Sequence, residues 1–126
     1  LLKMEKRKIK NLNLFTIKFP ITALVSILHR MSGVALFIFM PFLVIAFCSS
    51  LKSLASYEVT ISLLSTFPFV AIFYSMLWGI IHHLIAGLRH LLLDMQIGND
   101  LIMARLSSKS VLVLSFLGTF IVIYLV

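Results

Sequence analysis

Three stretches of this chain contain no Asp, Glu, Lys or Arg: residues 32–51, residues 59–83 and beyond, and residues 110–126. Roughly 20 apolar residues, rising about 1.5 Å each as a helix, match the about 30 Å hydrocarbon core of a bilayer. A chain with three such runs has few ways to bury them in water. The composition agrees: hydrophobic residues make up 61%, charged residues 12%, and the mean hydropathy is +1.13. Soluble domains run about 45–50% apolar and about 25% charged. A soluble globular fold and a disordered chain are both excluded. The expectation is an all-α integral membrane protein with a single membrane-anchor domain over residues 1–126.

Phe19-Pro20 gives a start signal for the first span, which the pattern places at about 21–51. The other two fall at about 61–91 and 106–126, with residues 52–58 read as a loop. Pro41 and Pro68 lie inside or near the starts of the first two spans, where each removes a backbone donor and can kink a helix.

Net charge is +7, yet its placement argues against nucleic acid. Six of the eleven Lys and Arg residues (Lys3, Lys6, Arg7, Lys8, Lys10 and Lys18) crowd a basic leader over residues 1–20, beside Glu5. No base-reading motif or stacking aromatic accompanies them. Such a leader reads as a cytoplasmic face meeting anionic lipid or an acidic partner surface. The first loop has one basic residue and residues 89–109 have three, so the N-terminus and second loop are expected in the cytoplasm. The lone Cys48 permits no internal disulfide and reads as a buried small hydrophobe.

The informative residues are those that do not belong in lipid. Ser26, His29, Arg30 and Gly33 follow the spacing i, i+3, i+4, i+7, which puts them on one helix face. An Arg in a span costs roughly 2.5–3.5 kcal/mol on insertion scales. Either Arg30 snorkels to the headgroups, or this face is a polar site for an anionic or carbonyl-bearing ligand. The second span ends with His82, His83, Gly87, Arg89 and His90. Of these, His83, Gly87 and His90 share a face that Gly79 extends. A neutral imidazole beside small residues suits an axial ligand of haem iron, with Arg30 and Arg89 available to meet carboxylates at the haem edge. It equally suits a histidine hydrogen-bonded to a neighbouring helix. One helix cannot ligate both faces of one iron, so a second axial ligand would come from elsewhere, most simply a partner subunit. Asp94 and Asp100 are placed to pair with Arg89 or Arg105, and Tyr74 and Trp78 read as core or interfacial aromatics. There is no phosphate loop, no paired carboxylate and no nucleophile triad. No acidic residue lies within a span, which counts against a proton-coupled transporter.

The run Phe19-Pro20-Ile21-Thr22-Ala23-Leu24-Val25-Ser26-Ile27-Leu28-His29-Arg30-Met31-Ser32-Gly33 resembles the start of the cytochrome b-type membrane anchor of succinate dehydrogenase, respiratory complex II. His83-Leu84-Ile85-Ala86-Gly87-Leu88-Arg89-His90, with Asp94 four residues on, is similar to that family's second motif. The likeness extends over essentially the whole chain. It implies that His83 is an axial ligand of a b-type haem shared with a second, smaller anchor subunit. His82 is the rival, but only His83 keeps the motif's spacing. It implies that Ser26 and Arg30 line a ubiquinone site, and that His29 and Arg30 lie near the haem propionates. Further partners would be a flavoprotein subunit with FAD and an iron–sulfur subunit carrying its clusters, at a bacterial inner membrane. Asn11-Leu12-Asn13-Leu14 stands where mitochondrial-type relatives have Ser-Pro-His, which places the chain nearer the bacterial form. Two other readings are a fumarate reductase anchor and a structural subunit of another membrane complex without haem.

Overall fold

A computed structural model describes residues 18–125. The leader residues Lys3, Glu5, Lys6, Arg7, Lys8 and Lys10, and residues 11–14, lie outside them. The described residues form four helices: α1 (Ile21–Ser50), α2 (Leu54–Leu64), α3 (Phe67–Asp94) and α4 (Leu101–Leu125). Three of these, α1, α3 and α4, are long and apolar enough to cross a membrane.

Helix α1 begins directly after Pro20, whose carbonyl accepts from the Ala23 and Leu24 N–H groups at 3.0 and 3.1 Å. It runs through Pro41 without a break. At about 1.5 Å per residue its 30 residues extend about 45 Å, more than the bilayer core requires.

The expected second span divides in two. Pro68 sits in the first turn of α3, where its missing N–H has no partner to lose, and Thr66 precedes it in an extended conformation. The residues before it close a separate helix, α2, which starts inside the expected loop because the Ser53 hydroxyl caps it by accepting from Ser56 N–H at 3.1 Å. With 11 residues, α2 is too short to span. At its other end α3 continues to Asp94 and closes in a Schellman arrangement. Gln96 N–H donates to the Leu93 carbonyl at 3.0 Å, and Ile97 N–H to Leu92 at 2.9 Å. Gln96 takes the left-handed conformation that this motif needs, at φ 62°. The third span starts at Leu101, earlier than expected.

The three long helices meet where Val25 of α1, Ala86 of α3 and Val111 of α4 touch, all nearly or wholly buried. Buried positions on α3 (Gly79, His82, Ala86, Arg89) and on α4 (Ser108, Val111, Ser115, Thr119) form single stripes at helical spacing. Hydroxyl residues dominate the α4 stripe, and small residues alternate with His82 and Arg89 on α3, as expected where lipid supplies no hydrophobic drive and helices gain by close approach and polar contacts. The α4 hydroxyls bond back to their own helix: Ser108 to Ala104 O at 2.8 Å, Ser115 to Val111 O at 2.6 Å and Thr119 to Ser115 O at 2.8 Å.

Cys48 is exposed, not buried as its composition alone implied. It lies 23 positions after Val25, which at about 100° per residue turns it about 140° away from the bundle core. Most large apolar side chains likewise face outwards, including Phe37, Phe42, Phe47 and Phe120. In a membrane these surfaces meet lipid or other subunits.

Ala86→Leu should overpack the three-helix contact and destabilise the fold by about 1–3 kcal/mol, read as a lowered thermal transition in detergent; an unchanged transition would mean that the helices do not close on Ala86. The cytoplasmic N-terminus expected from the charge distribution would put the α1–α2 turn on the other side. Lys52→Cys in a Cys48→Ser background should react with a membrane-impermeant maleimide in intact spheroplasts, whereas labelling only after permeabilisation would reverse the orientation.

Candidate functional site

The polar residues of α3 divide between its two neighbours. Adjacent positions on a helix differ by about 100°, so His82 and His83 cannot face the same partner. His82 turns to α4, where it is fully buried: Nδ1 hydrogen-bonds Ser115 Oγ at 3.1 Å and Trp78 stacks on the ring at 4.9 Å. Its Nε2 is buried without a hydrogen-bond partner among the described residues. The Trp78 indole N–H, buried beside Phe116, has no acceptor among the described residues.

Arg89 also faces α4. Its Nε donates to Ser107 Oγ at 2.9 Å and its Nη2 to the Ala104 carbonyl at 3.3 Å. Arg89 therefore ties α3 to α4. These bonds take the place of the expected pairing with Asp94 or Asp100. Seven per cent exposure leaves it little contact with solvent.

His83 turns instead to α1, and there the packing is reciprocal. Both helices carry His-x-x-x-Gly, His29 with Gly33 on α1 and His83 with Gly87 on α3. Gly33 meets His83 while Gly87 meets His29, so the two helices run antiparallel and each histidine lies level with the other helix's glycine. A Cβ added at Gly33 would come within 2.9 Å of His83 Cε1, and one at Gly87 within 3.4 Å of His29 Nε2. The two imidazoles stack with centroids 4.2 Å apart and planes 15° from parallel. His90 joins from one side, tilted, 5.0 Å from His29.

The hydrogen bonds fix which nitrogen of His83 bears its proton. Nδ1 lies 3.0 Å from the His29 backbone carbonyl and 3.2 Å from Ser32 Oγ. A carbonyl only accepts, so in the neutral ring Nδ1 carries the hydrogen and Nε2 keeps its lone pair. The Ser32 hydroxyl donates to the same carbonyl at 2.8 Å, which leaves its own oxygen as a second acceptor for Nδ1–H. This is the arrangement in which imidazole ligates a metal, one nitrogen donating to a backbone carbonyl and the other free to bind. The residues present thus fit one axial position of a haem. Among the described residues no three His, Cys, Asp or Glu side chains are grouped to hold a metal ion by themselves.

The face read from sequence on α1 is split by the packing. His29 and Gly33 lie against α3, Ser26 is half-buried at the margin, and Arg30 is exposed, about 140° around α1 from Val25. Ser26 and Arg30, one turn apart, therefore open outwards from the bundle. Ser32 escaped sequence reading because it lies off the i, i+3, i+4, i+7 face. Its signal was its position three residues after His29, where a hydroxyl can reach that residue's carbonyl. Beside Ser32 a cleft of about 590 Å³ separates α1 from α3, bounded by Leu28, Met31, Trp78 and Gly79.

Three spans, two His-x-x-x-Gly segments and a histidine presenting Nε2 define a haem-compatible membrane anchor. Residues 4–122 match the succinate dehydrogenase/fumarate reductase transmembrane subunit family, and the chain belongs to that family. It is 32% identical over 116 residues to the succinate dehydrogenase cytochrome b556 subunit of Coxiella burnetii, covering 91% of this chain and 93% of that one. It is 35% identical over 109 residues to the succinate dehydrogenase cytochrome b560 subunit of Reclinomonas americana, covering 82% and 76% respectively. The chain is a multi-pass inner-membrane protein and an anchor subunit of this enzyme class.

Proposed function

We propose that the chain is the larger membrane anchor of a bacterial succinate:ubiquinone oxidoreductase, supplying one axial ligand of a b-type haem and part of the ubiquinone-reduction site. The observation that carries this is His83, with Nδ1–H committed to the His29 carbonyl and Nε2 left as an acceptor. Burial favours His83 over His82. The latter is 0% exposed within its own chain, so a group shared with another subunit has no approach to it, whereas His83 is partly exposed. A bound haem supplies a reversible one-electron carrier whose potential is tuned by its ligands. The second axial ligand would come from the smaller anchor subunit. FAD and the iron–sulfur clusters would reside in the flavoprotein and iron–sulfur subunits, which this chain helps to dock on the membrane.

Ser26 and Arg30 are the residues for the quinone. Their outward placement suits a site completed by neighbouring subunits. A hydroxyl and a guanidinium one turn apart can both donate to a quinone carbonyl oxygen. The guanidinium also stabilises the negative charge that develops on that oxygen as electrons arrive. His29 and Arg30, at the same end of α1, would hold haem propionates. The second reading, operation as a fumarate reductase anchor, is favoured by a family description that covers both directions.

In the assembled complex, Arg30→Leu removes a charge-assisted bond and should lower succinate-dependent quinone reduction by roughly 10- to 100-fold. Ser26→Ala should lower it by roughly two- to tenfold. Succinate oxidation with an artificial acceptor at the flavin should stay unchanged in both; wild-type quinone kinetics in both variants would refute the site. His83→Leu should abolish or change the haem spectrum and His82→Leu should retain the bound haem, with the reverse pattern assigning the ligand to His82.

A further inference from the structure

We infer that one turn of α1, through Ser32 and Gly33, sets the position and ring plane of the His83 imidazole, making these two positioning residues for the group that meets Nε2. The inference deepens the proposed function and rests on His83 being the haem ligand.

A histidine in an apolar span has a broad, roughly two-fold preference about its last side-chain torsion and so does not hold one ring plane by itself. Here the turn from His29 to Gly33 restrains the ring in three ways. The His29 carbonyl is fixed in the α1 backbone and accepts from Nδ1–H at 3.0 Å. The buried Ser32 hydroxyl is held to that same carbonyl at 2.8 Å, which aims its oxygen at Nδ1 from 3.2 Å. The missing side chain of Gly33 leaves the space in which the ring lies, because a Cβ there would stand 2.9 Å from Cε1, 3.4 Å from Nδ1 and 3.9 Å from Nε2. A ring bonded at Nδ1 and stacked on His29 cannot swing away as a free side-chain end would. Gly79, one turn before His83 on the same helix and itself buried, gives the contrast: a Cβ there meets nothing within 4 Å.

Two acceptors on Nδ1–H also raise the basicity of the nitrogen that ligates, and that basicity tunes the potential of the ligated metal. Ser32 therefore acts on the haem through His83, without touching it.

The test uses the purified complex, with haem content, the low-spin haem signal in electron paramagnetic resonance and the haem midpoint potential as readouts. Ser32→Ala should retain haem, shift the resonance and raise the midpoint potential, since one acceptor on Nδ1–H is gone. Gly33→Ala should shift the resonance further or lower haem content, while Gly79→Ala, which adds the same methyl where there is room, should match wild type. If Gly33→Ala fails to assemble, Ser32→Ala decides alone, because it removes one oxygen and adds no bulk. Wild-type resonance and potential in Ser32→Ala, with a changed spectrum in His83→Leu, would overturn this inference and leave the ligand assignment standing. A wild-type spectrum in His83→Leu would instead overturn the assignment on which it rests.

Discussion

The stacked contact between His29 and His83, each ring seated against the other helix's glycine, organises the rest of this molecule. In a bilayer, apolar surface gains nothing by leaving lipid for protein, so two helices associate only where they pack closely or exchange polar contacts. The reciprocal His-x-x-x-Gly pairs supply both. Glycine removes bulk from each backbone, imidazole fills the space made on the opposite helix, and the one ring proton that needs a buried acceptor finds the His29 carbonyl. The same contact leaves Nε2 of His83 as the unprotonated nitrogen, so the feature that joins α1 to α3 also sets the tautomer of the ring.

The α3–α4 contact solves the packing problem differently. Its hydroxyl residues bond to carbonyls of their own helix, giving α4 a narrow polar stripe that needs little from its neighbour. His82 and Arg89 then add the specific ties, to Ser115 and to Ser107 with Ala104. A guanidinium held by a hydroxyl and a carbonyl is a structural cation, and it contrasts with Arg30, which faces away from its own bundle. Two arginines in similar sequence settings thus differ in what surrounds them.

Much of this was legible in sequence. The charge-free runs gave the three spans and Phe19-Pro20 gave the start of α1, because length and start signals are local. The break between α2 and α3 was also written locally, in Thr66 and Pro68, but an apolar run without charge masks a helix boundary. Cys48 and Ser32 were beyond reach for a common reason. Helix α1 is apolar nearly all round, so its sequence carries no strong sense of which side is inside. The direction of its core depends on Val25 meeting Ala86 and Val111, which lie some 60 and 86 positions away. The paired motifs on α1 and α3 were visible as residue spacings, whereas their interlocking required both helices in place. Arg89 shows the same limit, since its neighbours on α4 are unrelated to it in sequence.

Because His82 and His83 are consecutive, α3 cannot turn about its axis to ease one contact without straining the other. Ser115 on one side and the His29 carbonyl on the other therefore act as two stops on a single azimuth. Helix α4 touches neither His29 nor His83 through any bond described above, yet it sets the rotational phase in which His83 is offered. A change at the α3–α4 seam would thus be felt as an altered angle of the His83 ring on the far side of the helix. The third span serves the site as a keel serves a rudder, by resisting rotation.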